Sequence, residues 1–322
     1  MADDNRLAAR LRAYANTLLT AWLRAPGFVT WFGQPASDRR VAAADTSVRL
    51  HERHDDAGGV GPVTVRSAAT SVEHGVVYVP IVRSYDGTVT GVEAQLGATG
   101  ERNGPPLAPQ AVAAAEQAGW IEPTGSQVLE RSCRDHVQWR RAHPDVTLDL
   151  AVNVSERQLN DPDCAMTLFR IMAATGMRPA SLILAVEART FGRCSGPAIA
   201  SLAELKRVGV RVAVRARPAA VARLRMLPSD IVTVDRRCVA GVARSRPARE
   251  VMAAMVRYGH RRDLTIIAEG IETAAQHRAV VTFGCELVQG SLYAPPLPST
   301  AVGGRLDARP SRAWRLPLPT GG

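Results

Sequence analysis

From residue 76 onward, short apolar runs alternate with amphipathic stretches of helical spacing. VVYVPIV (76–82) and TVTGVEAQL (88–96), separated by Asp86-Gly87, predict two strands joined by a tight turn. Helical patterns follow at 109–118 and 126–141. Five more strands are predicted at LDLAVNV (148–154), LILAVEA (182–188), VRVAVRA (210–216), DIVTVD (230–235) and LTIIAEG (264–270), and LVQG (287–290) is the last. Helical patterns at 162–175, 197–208, 219–226, 247–260 and 273–283 lie between them. Strands that alternate with helices predict parallel pairing through crossovers, and the repeat is too long for half a Rossmann fold. The pattern therefore predicts a closed α/β barrel. No Gly-rich turn follows the first strand, so a dinucleotide fingerprint is excluded.

Outside this rhythm the chain reads differently. Leu7, Leu11, Tyr14, Leu18 and Trp22 share one helical face, which predicts a helix over 5–24 within an N-terminal segment 1–33. Asp3 and Asp4 suit its N-terminal dipole, and Pro26-Gly27 ends it. Its apolar stripe suits docking on the main domain, a dimer or partner contact, or a membrane surface. Residues 34–75 lack periodicity and read as a linker. His51, His54, Asp55 and Asp56 lie there without standard metal-site spacing, and Cys133 and His136 have no second ligand pair. The Arg-, Pro- and Gly-rich tail 301–322 is expected to be disordered, with Trp314 as its only anchor.

Composition narrows the function classes. The five cysteines are far apart, with no C-x-x-C, which predicts free thiols and a cytoplasmic location. The N-terminus MADDNRLAAR has no apolar core, so no signal peptide is expected, and no apolar run reaches the roughly 18 residues of a membrane span. The formal charge is +10, but Lys206 is the only lysine and the arginines are scattered. That scatter matches a compositional bias better than a nucleic-acid footprint, so no nucleic acid is expected as partner. A small anionic ligand is compatible with the charge.

In a barrel of this kind the working side chains lie at the C-terminal strand ends. Those ends carry Glu93, Asn153, Glu187, Arg215, Thr233 with Asp235, Glu269 with Glu272, and Gln289. Acids and amides on one rim suit Mg²⁺ or Mn²⁺. The segment AEGIETAAQHRAVVTFGCELVQGSLYAPPLP (268–298) resembles the C-terminal signature of the EAL family of cyclic-di-GMP phosphodiesterases. LAVNVSERQL (150–159), YVPIV (78–82), VEAQL (92–96) and LPSDIVTVD (227–235) resemble four further segments of that family, in order. The resemblance implies an EAL-type (βα)8 TIM-like barrel over residues 76–300, with its first strand running against the others and an N-terminal helical extension. It also implies metal-assisted hydrolysis of one phosphodiester of the cyclic dinucleotide to linear pGpG, with two cations activating the water.

Residue by residue, the resemblance is incomplete. Glu93, Asn153, Glu269, Glu272 and Gln289 match the family's acids and amides. Ala185 stands at a ligand glutamate, Arg215-Ala216 at the metal-bridging Asp-Asp, and Thr233 at the catalytic lysine. Glu187 is expected to face the other side of its strand. Val79, Gln95 and Gly97 replace a base contact, an apolar wall and a phosphate partner. The expectation is a degenerate domain with no phosphodiesterase activity and no cofactor, Mg²⁺ or Mn²⁺ entering only if activity survives. It would act as a regulatory or scaffold protein through a protein partner or a homodimer. A non-hydrolysing cyclic-di-GMP receptor, with Arg215 and Arg217 meeting the phosphates, is the alternative, and an active phosphodiesterase the third reading. Arg215 either fills the vacated metal site, paired with Glu93 or Glu269, or points to solvent.

Overall fold

The structure is a computed structural model that describes residues 75–97, 121–187, 196–216, 228–308 and 314–319. The chain divides between Glu73 and His74 into two compact units, and every described residue belongs to the second. The predicted N-terminal helix, the linker 34–75 except its last residue, and the helical patterns at 109–118 and 219–226 lie outside the described residues.

Strands β1 (Val76–Arg83) and β2 (Val89–Leu96) form the antiparallel hairpin that the Asp86-Gly87 turn predicts. Asp86 accepts from the Thr88 N–H at 2.9 Å and from Arg83 at 3.1 Å, which closes the turn. Helix α1 (Ile121–Ala142) leads to β3 (Asp149–Asn153). Two helices, α2 (Glu156–Asn160) and α3 (Cys164–Thr175), precede β4 (Leu182–Glu187). Then come α4 (Gly196–Arg207), β5 (Arg211–Ala216), β6 (Ile231–Val234), α5 (Arg236–Ala240) and α6 (Arg246–His260). Strand β7 (Thr265–Glu269), α7 (Ala274–Thr282), β8 (Leu287–Gln289), β9 (Leu297–Pro298) and α8 (Ser299–Asp307) complete the described chain.

The sheet runs β2-β3-β4-β5-β6-β7-β8-β1, and β1 pairs back onto β2, so the barrel closes. Strands β2 to β8 are parallel, and β1 is antiparallel to both neighbours. This is a (βα)8 TIM-like barrel with the reversed first strand that the resemblance implies. Alternation along each strand sends one set of side chains inward and the next outward. Ile81, Ala151, Ile183, Ala185, Ala213, Ile231 and Ile267 pack together inside the barrel. Leu184, Val186, Val212, Val214, Val232 and Ile266 occupy the alternate positions and are buried under the helices.

Two boundaries depart from the sequence reading. The helix expected over 162–175 begins only at Cys164, because Pro162 and Asp163 separate α3 from the short α2, whose N-cap Ser155 forms a capping box with Gln158. The expected disorder of the tail does not hold for its described residues. Residues 299–307 form α8, with Val302 and Leu306 buried. Trp314 and Leu316 are also buried, and the backbone of 314–316 bonds to the hairpin turn through Val89 N–H to Trp314 O (2.7 Å) and Leu316 N–H to Gly87 O (2.8 Å). Burial of two apolar side chains and two backbone hydrogen bonds explain why this arginine- and proline-rich stretch is held.

The loop after β7 is fastened to the end of β8. Ile271 donates to Gln289 O (3.0 Å) and accepts from Leu292 N–H (3.1 Å). Gly290 lets the two backbones meet, since a Cβ there would fall 2.2 Å from Ile271 O. Gly290→Ala is therefore expected to lower stability by about 1–3 kcal/mol, the scale of overpacking in a rigid core, read as a fall in the urea midpoint at unchanged slope.

Candidate functional site

The site grows out of the strand period. One step beyond the inner apolar layer, the same inward face continues as Glu93 on β2, Asn153 on β3, Glu187 on β4, Arg215 on β5, Thr233 on β6, Glu269 on β7 and Gln289 on β8. Cross-strand register sets these residues beside one another: Glu187 pairs with Arg215, Arg215 with Thr233, and Glu269 with Gln289. Parallel strands in register thus deliver three acids, two amides and one arginine to the C-terminal mouth.

Arg215 is the hub. Its Nε donates to both Glu269 oxygens (3.0 and 2.9 Å), and its Nη2 donates to Glu269 Oε1 (2.7 Å) and Glu93 Oε1 (2.9 Å). Its Nη1 donates to Glu187 Oε1 (3.1 Å) and Asn153 Oδ1 (3.3 Å). The guanidinium is planar, with its donors in a fixed fork, so it can serve three carboxylates at once. Glu93 is held from other directions by Gln289 Nε2 (2.5 Å), Asn153 Nδ2 (2.9 Å) and Gln95 Nε2 (3.4 Å). Ala185 lies level with Asn153 and Ala213 in the register, and its methyl offers the guanidinium no acceptor.

The electrostatics follow from burial and shared charge. Side-chain exposure is 18% for Arg215, 4% for Glu93 and 15% for Glu269. Burial pushes Glu93 up, but the Arg215 guanidinium and the hydrogen bonds from Gln289, Asn153 and Gln95 outweigh it and hold its carboxyl below the ordinary value. Burial likewise pushes Glu269 up. Arg215 opposes this, but with Glu93 and Asp235 adding repulsion its carboxyl reaches about 7. Burial disfavours the charge on Arg215, yet Glu269, Glu93 and Glu187 raise its pKa well above the arginine norm. One fixed cation shared by two buried acids leaves the second acid to hold a proton near neutrality.

Of the residues expected at the site, Glu93, Asn153, Glu269, Gln289 and Arg215 come together. Glu272 is exposed, and its backbone N–H donates to Gln276 Oε1 (2.8 Å) at the start of α7. Arg217 lies outside the described residues. The expectation for Glu187 is overturned. It faces the barrel interior and binds Arg215, because it lies two residues beyond Ala185, an even step that returns the side chain to the same face. Gln95, expected to remove an apolar wall, is also a donor to Glu93. Lys206 pairs with Asp230 at 2.5 Å, and Asp230 also accepts from Val212 N–H, so the only lysine is tied up at the start of β6.

This donor set is complementary to a guanidinium and does not fit a pair of divalent ions. The carboxylates of Glu93, Glu187 and Glu269 already converge on N–H donors, and position 185 offers no oxygen. A cation about 4 Å from Arg215 would meet repulsion of roughly 4 kcal/mol per unit charge at an effective dielectric near 20.

With the reversed first strand and this mouth in place, comparison with known proteins defines the class: the chain belongs to the EAL domain family, whose model matches residues 64–296. It is 29% identical over 232 residues to an uncharacterized signaling protein of Caulobacter vibrioides, covering 70% of this chain and 28% of that protein. An uncharacterized protein of Mycobacterium tuberculosis is 29% identical over 242 residues, covering 73% of this chain and 79% of that one. The chain thus spans well under a third of the Caulobacter relative. Among solved structures, the MucR phosphodiesterase of Pseudomonas aeruginosa in complex with c-di-GMP superimposes with a TM-score of 0.64 at 26% identity, over 71% of this chain and 94% of that one.

Two measurements test the hub. Arg215→Met leaves three carboxylates without their cation, and a loss of about 3–5 kcal/mol in denaturant unfolding is expected. An unchanged stability, together with a loss in Glu269→Ala, would remove Arg215 from the centre of the network. Glu269 binds its proton more tightly folded than unfolded. Its contribution to stability is therefore complete below its ordinary value of 4.5 and fades as pH rises through about 7. Relative to the parent chain, Glu269→Gln is expected to gain on the order of 1–3 kcal/mol between pH 5 and pH 8.5, read from paired unfolding curves.

Proposed function

We propose that this chain is a catalytically inactive EAL-domain protein that serves a regulatory or scaffold role in or near cyclic-di-GMP signalling. The observation that carries the reading is the placement of Arg215 among Glu93, Glu187, Glu269 and Asn153. In the family's chemistry, as the resemblance implies, those acids and the amide would hold cations that activate water. Here a side chain that cannot be deprotonated fills the position and satisfies the same oxygens. Thr233 offers no amine where the catalytic lysine is expected. Glu93, Asn153, Glu269 and Gln289 then support the barrel mouth instead of performing chemistry, and Glu272 and Arg217 contribute no catalytic group. Neither Mg²⁺ nor Mn²⁺ is required.

The partner is a protein, or a second copy of the chain, engaged through the apolar stripe of the N-terminal segment. The stripe is a property of the sequence: Leu7, Leu11, Leu18 and Trp22 recur at helical spacing. Among the described residues no helix is long and apolar enough to cross a membrane.

A receptor reading remains as the second. A solved relative carries c-di-GMP, and Arg215 retains some exposure at the mouth, where its charge can face a phosphate. Incubation with cyclic-di-GMP and Mn²⁺ or Mg²⁺, followed by chromatography, is expected to yield no pGpG. Turnover that disappears in Glu93→Gln would overturn the inactive reading. Calorimetric titration separates the remaining two: no heat with or without Mn²⁺ supports the scaffold, and micromolar binding independent of metal makes the chain a receptor. For the scaffold, the double variant Leu11→Asp, Leu18→Asp is expected to abolish self-association or partner binding while leaving the far-ultraviolet spectrum of the barrel in place.

A further inference from the structure

The positive charge of the chain is concentrated on one part of the barrel's outer surface. Residues 236–262 carry eight arginines against the single acid Glu250, and so hold seven of the ten units of formal net charge. At the borders, Asp235 is the buried N-cap of α5, and Asp263 follows the last arginine. The scatter read along the sequence does not hold for this segment, and all eight arginines are exposed. On α6 they form a stripe. At about 100° per residue, Arg246, Arg249, Arg257 and the C-cap Arg261 fall within about a third of the circumference, over roughly 22 Å of axis. Met252, Met255 and Val256 take the opposite side and are buried.

Three of these arginines are engaged locally. Arg246 pairs with Glu250 at 2.9 Å, and both groups are well exposed. Arg249 donates to Val242 O (3.1 Å) and Ala243 O (2.8 Å), which fixes the turn into α6. The Arg262 guanidinium lies 5.2 Å from the Tyr258 ring centroid. Arg236, Arg237, Arg244, Arg257 and Arg261 have no acid partner among the described residues. Arg257 and Arg261 stand four residues apart, a spacing at which like charges oppose helix stability. An anion laid along the stripe relieves that repulsion.

The surface also narrows the kind of anion. Among the described residues the exposed large hydrophobic side chains are Tyr85 and Val281, and neither belongs to α5 or α6, so nothing there inserts into a lipid surface. Tyr258 is buried, so it offers no face on which bases could stack. Glu250 interrupts the stripe: a continuous phosphate backbone would have to cross it, whereas a polypeptide can set an uncharged residue against it. Planar guanidinium forks match carboxylates in pairs.

We propose that the outer surface of α5 and α6 is a docking site for an acidic polypeptide segment rich in Glu and Asp. Its carboxylates pair with Arg244, Arg257 and Arg261. Arg236 and Arg237 stand at the start of α5, directly after β6, and extend the positive field towards the C-terminal mouth. About seven extended residues span the α6 stripe. The site uses neither Arg215 nor the apolar stripe of the N-terminal segment, so it stands or falls apart from the inactive-scaffold reading.

The test uses the full chain with a fluorescein-labelled peptide of ten glutamates as probe, read by anisotropy. Saturable one-to-one binding is expected, weaker at about 300 mM than at about 50 mM salt because exposed charges are screened. The triple variant Arg244→Glu, Arg257→Glu, Arg261→Glu is expected to weaken binding by about tenfold or more, since three attractions become repulsions. The control Arg141→Glu, Arg170→Glu, Arg178→Glu removes the same net charge from exposed positions elsewhere, and a change below about twofold is expected. Equal weakening by the two triple variants means that overall charge alone holds the peptide, and overturns the proposal. So does the absence of saturation at millimolar peptide. Tighter binding to duplex DNA, or to vesicles of equal parts phosphatidylglycerol and phosphatidylcholine, at the same salt also overturns it in favour of that partner. In the parent chain, methyl shifts at Ala253 and Ala254 on α6 are expected on titration with the peptide. Shifts confined to alanines elsewhere overturn the proposal even where a variant fails to fold.

Discussion

A carboxylate removed from water must be given a counter-charge or a proton, and the C-terminal mouth of this barrel holds three carboxylates within reach of one another. The strand period forces this crowding: once Gly91, Ala185 and Ile267 face inward, so must Glu93, Glu187 and Glu269. Arg215 answers it with donors to all three, and Gln289, Asn153 and Gln95 take up the remaining lone pairs on Glu93. One positive charge does not neutralise three negative ones, and burial, with repulsion from Glu93 and Asp235 added, leaves Glu269 with a raised proton affinity.

The same geometry links structure to function. Carboxylates that converge on a void can gather divalent ions, whereas carboxylates that converge on a guanidinium have spent their lone pairs. Position 215 decides between the two, because it projects into the layer where Glu93, Asn153 and Glu269 meet. The single side chain on β5 thereby meets acids on three other strands. The family's scaffold persists around it: the strand order, the reversed first strand and the loop fastened through Gly290 are in place.

The two ends of the barrel show the same logic with opposite outcomes. At the C-terminal end Arg215 is saturated with acceptors. At the N-terminal end Arg211, four residues earlier on the same face, keeps a buried donor with no acceptor among the described residues. Both arginines flank the small Ala213 inside a barrel whose inner layer is otherwise built of isoleucine and alanine. The tail residues Trp314 and Leu316 brace the hairpin turn at the lower rim, an arrangement that a composition rich in arginine and proline conceals.

The sequence by itself determined the barrel. Strand and helix periods are local, and each run such as LILAVEA or LTIIAEG carries its own signal, so the element order and the residues at the strand ends could be read directly. It also determined which charges are present: a fixed cation at Arg215, no carboxylate at Ala185, no lysine at Thr233. Only the tertiary structure decided how those charges meet. Whether Arg215 turns inward to Glu269 or outward to water depends on the register between β5, β6 and β7, and register is a relation between strands that no single strand encodes. Glu187 marks the boundary between the two kinds of knowledge. Its inward direction follows from counting by two along β4, yet its pairing with Arg215 follows from the neighbouring strand. Buried donors such as Arg211 Nε belong wholly to the second kind, because burial and the absence of a partner are properties of everything packed around an atom.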